Sequence, residues 1–254
     1  MDIGLYGPYM IYMRDLENIK GSRVYGRRLA AALSPARQAR LDKWLPKIEI
    51  ILPDQKPDDE PGDPIAPEEY FKRPPQDYWL EIGFGKGEHL ATQAENNPSV
   101  GLIGCEPFIN GVSSLVDQLE ARGLENIRIF KDDARLMMDS LPDKSIGRAF
   151  ILFPDPWPKA RHHKRRIVSA GNIAALARIL KDGAELRIGT DHMEYCRWIV
   201  AHMLSSQDFD WVCDKPENWR ARSKDWPPSR YEGKSLEQGR KSSYLRFIRR
   251  PRTA

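Results

Sequence analysis

From Asp77 to the C-terminus, the sequence alternates short runs of β-branched and aliphatic residues with longer amphipathic segments. Strands that alternate with helices predict βαβ units, in which helices cover both faces of a parallel sheet. The predicted strands are residues 78–82, 100–105, 127–130, 146–153 and 184–188, and the predicted helices are residues 88–95, 111–122, 167–180 and 193–204. Two later strands, 209–213 and 244–248, complete a doubly wound α/β sheet that ends in a hairpin.

The first 69 residues have a different composition. Ser34 and Pro35 predict the N-cap and first turn of a short helix, which lies among several arginines. Residues 53–67 are rich in proline and in acids, a composition that resists packing. We therefore expect a partly flexible segment at 1–69, made of a basic part and an acidic Pro-rich linker, and a folded domain at 70–254.

Bulk composition excludes several classes of protein. The 40 Lys and Arg exceed the 36 Asp and Glu by only four charges, but the basic residues are clustered, which favours a polyanionic partner. Cys105, Cys196 and Cys213 lie far apart, so the sequence predicts no zinc site and no disulfide framework. We expect no metal, no membrane span and no secretory leader, and hence a cytoplasmic protein.

A glycine-rich turn follows the first predicted strand, in the sequence LEIGFGKGE at residues 80–88. Glycines at this point allow a tight turn and let a ligand approach the backbone. Glu88 occupies the position where a dinucleotide fingerprint has its third glycine, and a phosphate-binding loop would have Ser or Thr there. Glu81 and Glu88 would repel a pyrophosphate but tolerate a cation. The turn therefore favours S-adenosylmethionine, which carries an ammonium and a sulfonium.

Acids also follow the next two predicted strands. Glu106 comes directly after the second strand, and Asp132 and Asp133 come after the third. The carboxyl ends of parallel strands meet at one edge of the sheet, where such folds bind ligands. Glu106 can accept hydrogen bonds from both hydroxyls of a ribose, and one of the two aspartates can reach an adenine amino group. The alternative is that these acids only cap strand ends and helix N-termini.

The fourth predicted strand ends in the stiff sequence FPDPWPK, in which three prolines within five residues remove backbone donors. Such a segment can hold Asp155 and Trp157 against a flat base, although it can also be a purely structural exit from the strand. A basic run follows it, consisting of Lys159, Arg161, His162, His163, Lys164, Arg165 and Arg166. Next to the expected ligand edge, this run favours contacts with a phosphate backbone. The arginines near both chain ends either extend that surface or are solvated tails.

With the run FPDPWPKARHHKRR at residues 153–166, the sequence resembles the bacterial tRNA (guanine-N7)-methyltransferase family. The segments LEIG at 80–83 and GCEP at 104–107 are similar to the cofactor motifs of that family. The segments GTD at 189–191 and SRYE at 229–232 are similar to its later substrate motifs, although the family usually has Thr at position 229.

The resemblance implies a class I methyltransferase fold, which is a doubly wound, mostly parallel, seven-stranded Rossmann-like sheet with an antiparallel edge strand. It implies S-adenosyl-L-methionine as cofactor, tRNA as partner, and methylation of N7 of guanine 46 in the variable loop. The implied cofactor-binding residues are Glu81, Gly83, Gly85, Glu106, Asp133 and Asp155, and Asp155 is also the implied catalytic residue. The implied substrate-binding residues are Lys159, Asp191, Ser229, Arg230, Tyr231 and Glu232, with 229–232 as a loop that closes over the guanine. The implied RNA-binding residues are Arg161, His162, His163, Lys164, Arg165 and Arg166.

Two other functions stay open on the residues alone. One is a class I methyltransferase that acts on another RNA or on a small molecule, and the other is an RNA-binding module without activity. The basic run argues against a small substrate, and the full set of acids at the strand ends argues against an inactive module. We expect a monomer or a weak homodimer.

Overall fold

The computed structural model describes residues 28, 32–53, 64–227 and 230–252. Its core is a seven-stranded sheet with the strand order β3-β2-β1-β4-β5-β7-β6. The strands are β1 (Asp77–Ile82), β2 (Val100–Cys105), β3 (Ile127–Phe130), β4 (Ile146–Leu152), β5 (Leu180–Thr190), β6 (Phe209–Trp211) and β7 (Ser243–Arg249). Strands β1 to β5 are parallel, and β7 runs antiparallel between β5 and β6. The doubly wound sheet with an antiparallel pair at one edge is thus confirmed.

Helices precede the first parallel strand, lie between each successive pair and follow the last, so the predicted alternation is confirmed. They are α1 (Pro35–Ile48), α2 (Glu88–Asn96), α3 (Ile109–Arg122), α4 (Ala134–Ser140), α5 (Ala170–Ile179), α6 (Met193–Ser205), α7 (Glu217–Arg220) and α8 (Arg230–Glu237). The predicted start of α5 at residue 167 is wrong by three residues, because the side chain of Ser169 caps the helix and accepts from the Asn172 N–H. Strand β5 starts earlier than predicted because Leu180 already pairs with Ile146 of β4.

The sheet is buried on both faces, because side chains alternate between the faces of each strand. In β4, Ala149 and Ile151 pack into the core on one face, and Phe150 and Leu152 pack into the core on the other. Parallel strands covered in this way are apolar almost throughout, which explains why the sequence pattern is readable.

The segment before residue 70 contributes helix α1 to the packed core, and the domain boundary between residues 69 and 70 stays a prediction. Helix α1 lies against α3, and Leu41, Leu45 and Ile48 are buried in the same core cluster as Trp79 and Phe150. Ser34 caps α1, as predicted, and accepts a hydrogen bond from the Arg37 N–H. Residues 54–63 of the acidic linker lie outside the described residues.

Ion pairs also hold α1 on the domain. Arg37 and Arg40 pair with Asp117 of α3, and Arg40 and Lys43 pair with Glu120. The basic residues of this helix are therefore largely neutralised by acids of α3 instead of forming an open basic surface. In the part of the chain that the structure describes, no helix is long and apolar enough to cross a membrane.

Replacing Leu41 by Ala tests whether α1 belongs to the core. The Leu41 side chain is 1% exposed, so its truncation leaves a cavity and should lower the free energy of unfolding by about 2–5 kcal/mol. The exposed Lys43→Ala, which removes only a surface ion pair, should cost less than about 1 kcal/mol. Chemical denaturation followed by circular dichroism measures both. Equal, small effects would mean that α1 is not packed as described.

Candidate active site

The glycine turn after β1 has the backbone conformation that its sequence requires. Gly83, Gly85 and Gly87 have φ angles of 74°, 58° and 80°, backbone conformations that residues other than glycine rarely adopt. The Gly83 N–H donates to the carbonyl of Cys105 at 2.8 Å, so the turn lies across the end of β2. Gly87 then forms the N-cap of α2.

The first turn of α3 packs directly against this glycine turn. A Cβ atom at Gly111 would fall well inside van der Waals contact with the Gly85 carbonyl oxygen, which belongs to the backbone and cannot swing away. The close approach fixes the position of the glycine turn relative to the end of β2.

The Glu106 carboxylate lies between these two segments. It accepts a hydrogen bond from the Gly85 N–H at 2.7 Å and another from the Phe108 N–H at 3.0 Å. Burial raises the pKa of Glu106 to about 7, although these two hydrogen bonds oppose the shift, and the nearby charges of Asp155 and Glu81 raise it further. The charges of Asp155 and Glu81 act on Glu106 as negative neighbours, and a cationic ligand would offset them.

Glu81, at the end of β1, is held by a buried histidine. The Nδ1 atom of His89 lies 2.7 Å from a Glu81 carboxylate oxygen, and both side chains are almost fully buried. Gln93 lies one turn further along α2, within 3.3 Å of the other ring nitrogen of His89, and donates to the carbonyl of Asp225. The sequence did not indicate a role for His89, because a single histidine on a helix forms no recognisable motif. Only the structure shows that its ring lies beside the Glu81 carboxylate.

The two aspartates after β3 already have partners within the protein. Asp133 is the N-cap of α4, and its two oxygens accept from the backbone and the guanidinium of Arg135. Asp132 accepts from the Asp133 N–H at 2.7 Å and pairs with Arg28 at 2.9 Å. The capping role that the sequence left open is therefore present, and a contact of Asp133 with a cofactor stays a prediction.

The proline-rich segment that follows β4, residues 153–158, is called the exit from β4 and is strained near both ends. Phe153 and Trp157 have φ angles of 52° and 42°, values that cost free energy for bulky residues. The Phe153 N–H donates to the carbonyl of Gly189 in β5 at 2.8 Å. Asp155 lies between them and is reachable from solvent, but partial desolvation still raises the pKa of its carboxyl.

The basic run forms a short 3₁₀ segment, Ala160–Arg165, beside this exit. The guanidinium of Arg165 lies over the Trp157 ring at 4.9 Å, and the His162 ring meets the same indole edge-on at 5.8 Å. Lys159, Arg161 and Lys164 are exposed. Desolvation and then the charge of Arg165 lower the pKa of His162, so its imidazole adds little positive charge at neutral pH.

Arg166 departs from the prediction that the whole run contacts RNA. Its side chain is 0% exposed and pairs with Glu194 of α6, so its guanidinium lies inside the domain and not on the basic surface. The arginines near the C-terminus are also paired with acids of the domain. Arg246 pairs with Glu185, Arg249 with Asp208, Arg250 with Asp210, and Arg252 with Asp182.

The segment at 229–232, expected as a loop, belongs in part to a helix. Residues 230–237 form α8, and Ser229 lies outside the described residues, as do the side chains of Arg230 and Tyr231. Glu232 is buried, where it pairs with Arg222 at 3.2 Å and accepts from the Tyr244 hydroxyl.

Asp191, which follows β5, is joined to the same helix. Its carboxylate accepts from the Ser235 hydroxyl at 2.8 Å and pairs with Arg240 at 3.0 Å. The structure thus anchors α8 beside the end of β5. The residues after β1, β2, β3, β4 and β5 all lie along one edge of the sheet.

Comparison with known proteins decides the family. The profile of a family described as "Putative methyltransferase" matches residues 75–245. A tRNA (guanine-N(7)-)-methyltransferase of Rhodospirillum rubrum is 44% identical over 233 residues, which is 92% of this chain and 90% of the relative. A relative of the same name from a Ruegeria species is 45% identical over 227 residues, covering 89% and 87% of the two chains. The chain belongs to the tRNA (guanine-N7)-methyltransferase family.

The fold agrees with this family. The solved structure of the 16S rRNA methyltransferase KamB superposes with a TM-score of 0.51 at 15% identity, over 70% of this chain and 89% of that one. This likeness supports the class I, Rossmann-like methyltransferase fold. Among the described residues, no group of three or more His, Cys, Asp or Glu side chains could hold a metal ion.

Gly111→Ala tests the packing of the methyltransferase glycine turn. The added methyl would collide with the Gly85 backbone, so the free energy of unfolding should fall by about 1–3 kcal/mol. The matched control is Gly171→Ala in α5, where a Cβ meets nothing within 4 Å. The control should leave the protein as stable as before or slightly more stable. Thermal and denaturant unfolding of both variants measure the difference, and equal effects would contradict the close approach.

Proposed function

We propose that this protein transfers a methyl group from S-adenosyl-L-methionine to N7 of guanine 46 in the variable loop of tRNA. One observation carries the chemistry: the charge of Asp155 in the strained exit is close enough to Glu106 at the glycine turn to raise the pKa of the Glu106 carboxyl. In this proposal the acid that binds the cofactor and the acid that faces the base therefore serve one site. The names of the relatives, and the basic run beside Asp155, support tRNA as the substrate.

The residues around the glycine turn fit the proposed cofactor. Glu106 uses one lone pair on each oxygen for a backbone N–H and keeps acceptor capacity for ribose hydroxyls. Glu81, held by His89, adds negative charge beside Gly83 and Gly85, and Asp133 lies after the neighbouring strand. When bound, S-adenosyl-L-methionine supplies an electrophilic methyl group on a positively charged sulfur.

The protein's task at the guanine is orientation and charge stabilisation. Guanine N7 has a lone pair in the ring plane and no proton to remove, so no general base is needed. Methylation leaves a positive charge on the purine, which nearby carboxylates stabilise. We assign this role to Asp155, Asp191 and Glu232, which also accept from the N1–H and the amino group of the base.

The basic run binds the tRNA backbone in this proposal. Lys159, Arg161 and Lys164 are exposed, and His162, His163 and Arg165 are partly exposed next to Trp157. Contacts of this kind position an RNA but do not read its sequence. Ser229, Arg230 and Tyr231, which directly precede Glu232 in the sequence, complete the substrate side in this proposal. The protein acts in the cytoplasm, where its tRNA substrate is found.

A methyl-transfer assay with an active-site variant tests the proposal. Wild-type protein with labelled S-adenosyl-L-methionine and bulk tRNA should label a single N7-methylguanine at position 46. Asp155→Ala should lower kcat by at least about 100-fold, because the product-like charge loses its carboxylate, and should weaken cofactor binding far less.

The control is Asp143→Ala. Asp143 is an exposed aspartate that precedes β4, at the opposite edge of the sheet, and pairs with Arg178. This variant should retain activity. Label on a small molecule or on another RNA would favour the alternative substrates, and an unchanged kcat of Asp155→Ala would remove Asp155 from catalysis.

The pKa of Glu106 predicts that cofactor binding depends on pH. In the free protein this pKa is raised to about 7, and a cationic ligand favours the carboxylate, so binding lowers the pKa and releases a proton. Affinity should therefore increase as the pH rises towards 7 and then stay level. Titration calorimetry near pH 6 in two buffers of different ionisation enthalpy measures the released proton. S-adenosylhomocysteine, which lacks the sulfonium charge, should release less, and affinity that increases as the pH falls would contradict this assignment.

A further inference from the structure

Arg166, the last residue of the basic run, turns inward and contacts the backbone of the proline-rich exit. Its Nε donates to the carbonyl of Pro156 at 2.9 Å, and one of its terminal nitrogens lies 3.5 Å from the carbonyl of Trp157. Both terminal nitrogens donate to the two carboxylate oxygens of Glu194, at 3.2 Å and 2.6 Å. A bidentate pair of this kind fixes the orientation of the guanidinium as well as its distance from the carboxylate.

Two aromatic rings hold the same guanidinium. It lies 5.0 Å from the centre of the Tyr195 ring and 4.6 Å from that of Trp198. Tyr195 is fully buried, and the Trp198 indole donates to the carbonyl of Val168 at 2.8 Å. These rings and Glu194 all belong to α6, so the arginine joins the exit from β4 to a helix fixed in the core. We call Arg166, Glu194, Tyr195 and Trp198 the arginine clamp.

The exit needs such a restraint. Phe153 and Trp157 are held at positive φ angles, which persist only where the surroundings force them. Pro154, Pro156 and Pro158 have no N–H, so the segment has few backbone donors with which to stabilise itself. The clamp supplies donors to two consecutive carbonyls directly after Asp155.

We propose that the arginine clamp holds the segment at 154–158, and with it Asp155, in the geometry needed for methyl transfer, and that Arg166 is a positioning residue. This inference rests on the proposed function for its catalytic consequence. It assigns Arg166 a different role from its neighbours in the basic run, which would contact phosphate. It also gives a role to Glu194, an acid that could not bind an RNA backbone.

Glu194 makes the two roles distinguishable. If the residues around Arg166 acted only on RNA, removing the negative charge of Glu194 would strengthen tRNA binding. If they act as a clamp, the same change frees the exit from β4 and lowers the rate. The Glu194 side chain is 48% exposed, so its substitution is compatible with folding even where substitution of the buried Arg166 is not.

The experiment compares Arg166→Lys and Glu194→Gln with two controls in the full-length protein. Glu95→Gln changes another half-exposed glutamate that pairs with an arginine, and Arg161→Ala changes an exposed arginine of the same run. Hydrogen exchange at the Phe153 amide, which donates to the Gly189 carbonyl, reports on the segment without any need for activity. Steady-state kinetics with tRNA, and the salt dependence of tRNA affinity, report on function.

In both clamp variants, amide exchange in the segment should become about tenfold faster or more, the effect of losing one charge-assisted hydrogen bond. Their kcat should fall by about 10–100-fold, with little change in KM for tRNA or in the salt dependence of affinity. Arg161→Ala should leave amide exchange in the segment normal and should reduce the slope of the salt dependence of tRNA affinity by about one. Glu95→Gln should resemble the wild type.

Normal exchange and normal kcat in Glu194→Gln would overturn the clamp, and so would a reduced salt slope with unchanged kcat in Arg166→Lys. Failure of the proposed function would be seen differently. In that case wild-type protein would not methylate tRNA, while the exchange measurement would still decide whether the clamp restrains the segment.

Discussion

The hydrogen bond from the Gly85 N–H to the Glu106 carboxylate is the contact on which the rest of the site depends. It joins the turn after β1 to the end of β2, and the missing side chain of Gly111 lets α3 close over it. The contact buries a carboxylate that keeps an elevated pKa near other acids. A buried charge of this kind is tolerated where a ligand of opposite charge completes it, which ties the local fold to the choice of cofactor.

Rigidity around Asp155 comes from a different source. Asp155 is held by a segment whose end residues are strained and whose prolines lack donors, so the stability of that segment must come from outside it. Helix α6 provides this support through Arg166 and Glu194. The two parts of the candidate site are thus built differently: glycines permit the turn after β1, and a buried arginine holds the prolines after β4 in place.

Much of the fold was predictable because parallel strands buried on both faces leave continuous apolar runs. The strands 100–105 and 127–130 were predicted with the bounds that the structure has. Helix α4 was missed because it is a single short segment whose start depends on the Asp133 cap. The place of α1 in the core was also missed, since the pairing of Arg37 and Arg40 with Asp117 joins residues about eighty positions apart.

The sequence by itself determined the residue types of the candidate site and, through the run at 153–166, indicated the family that the comparisons then showed. It determined that acids follow successive strands, because strand ends can be read from local patterns. Only the tertiary structure decided which partners the described side chains contact and which of them are buried. Arg166 turns inward to Glu194, Glu232 is buried and accepts a hydrogen bond from Tyr244, and His89 lies beside Glu81. The physical reason is that burial and partner choice depend on residues distant in sequence, and these decide whether a charge meets solvent, ligand or core.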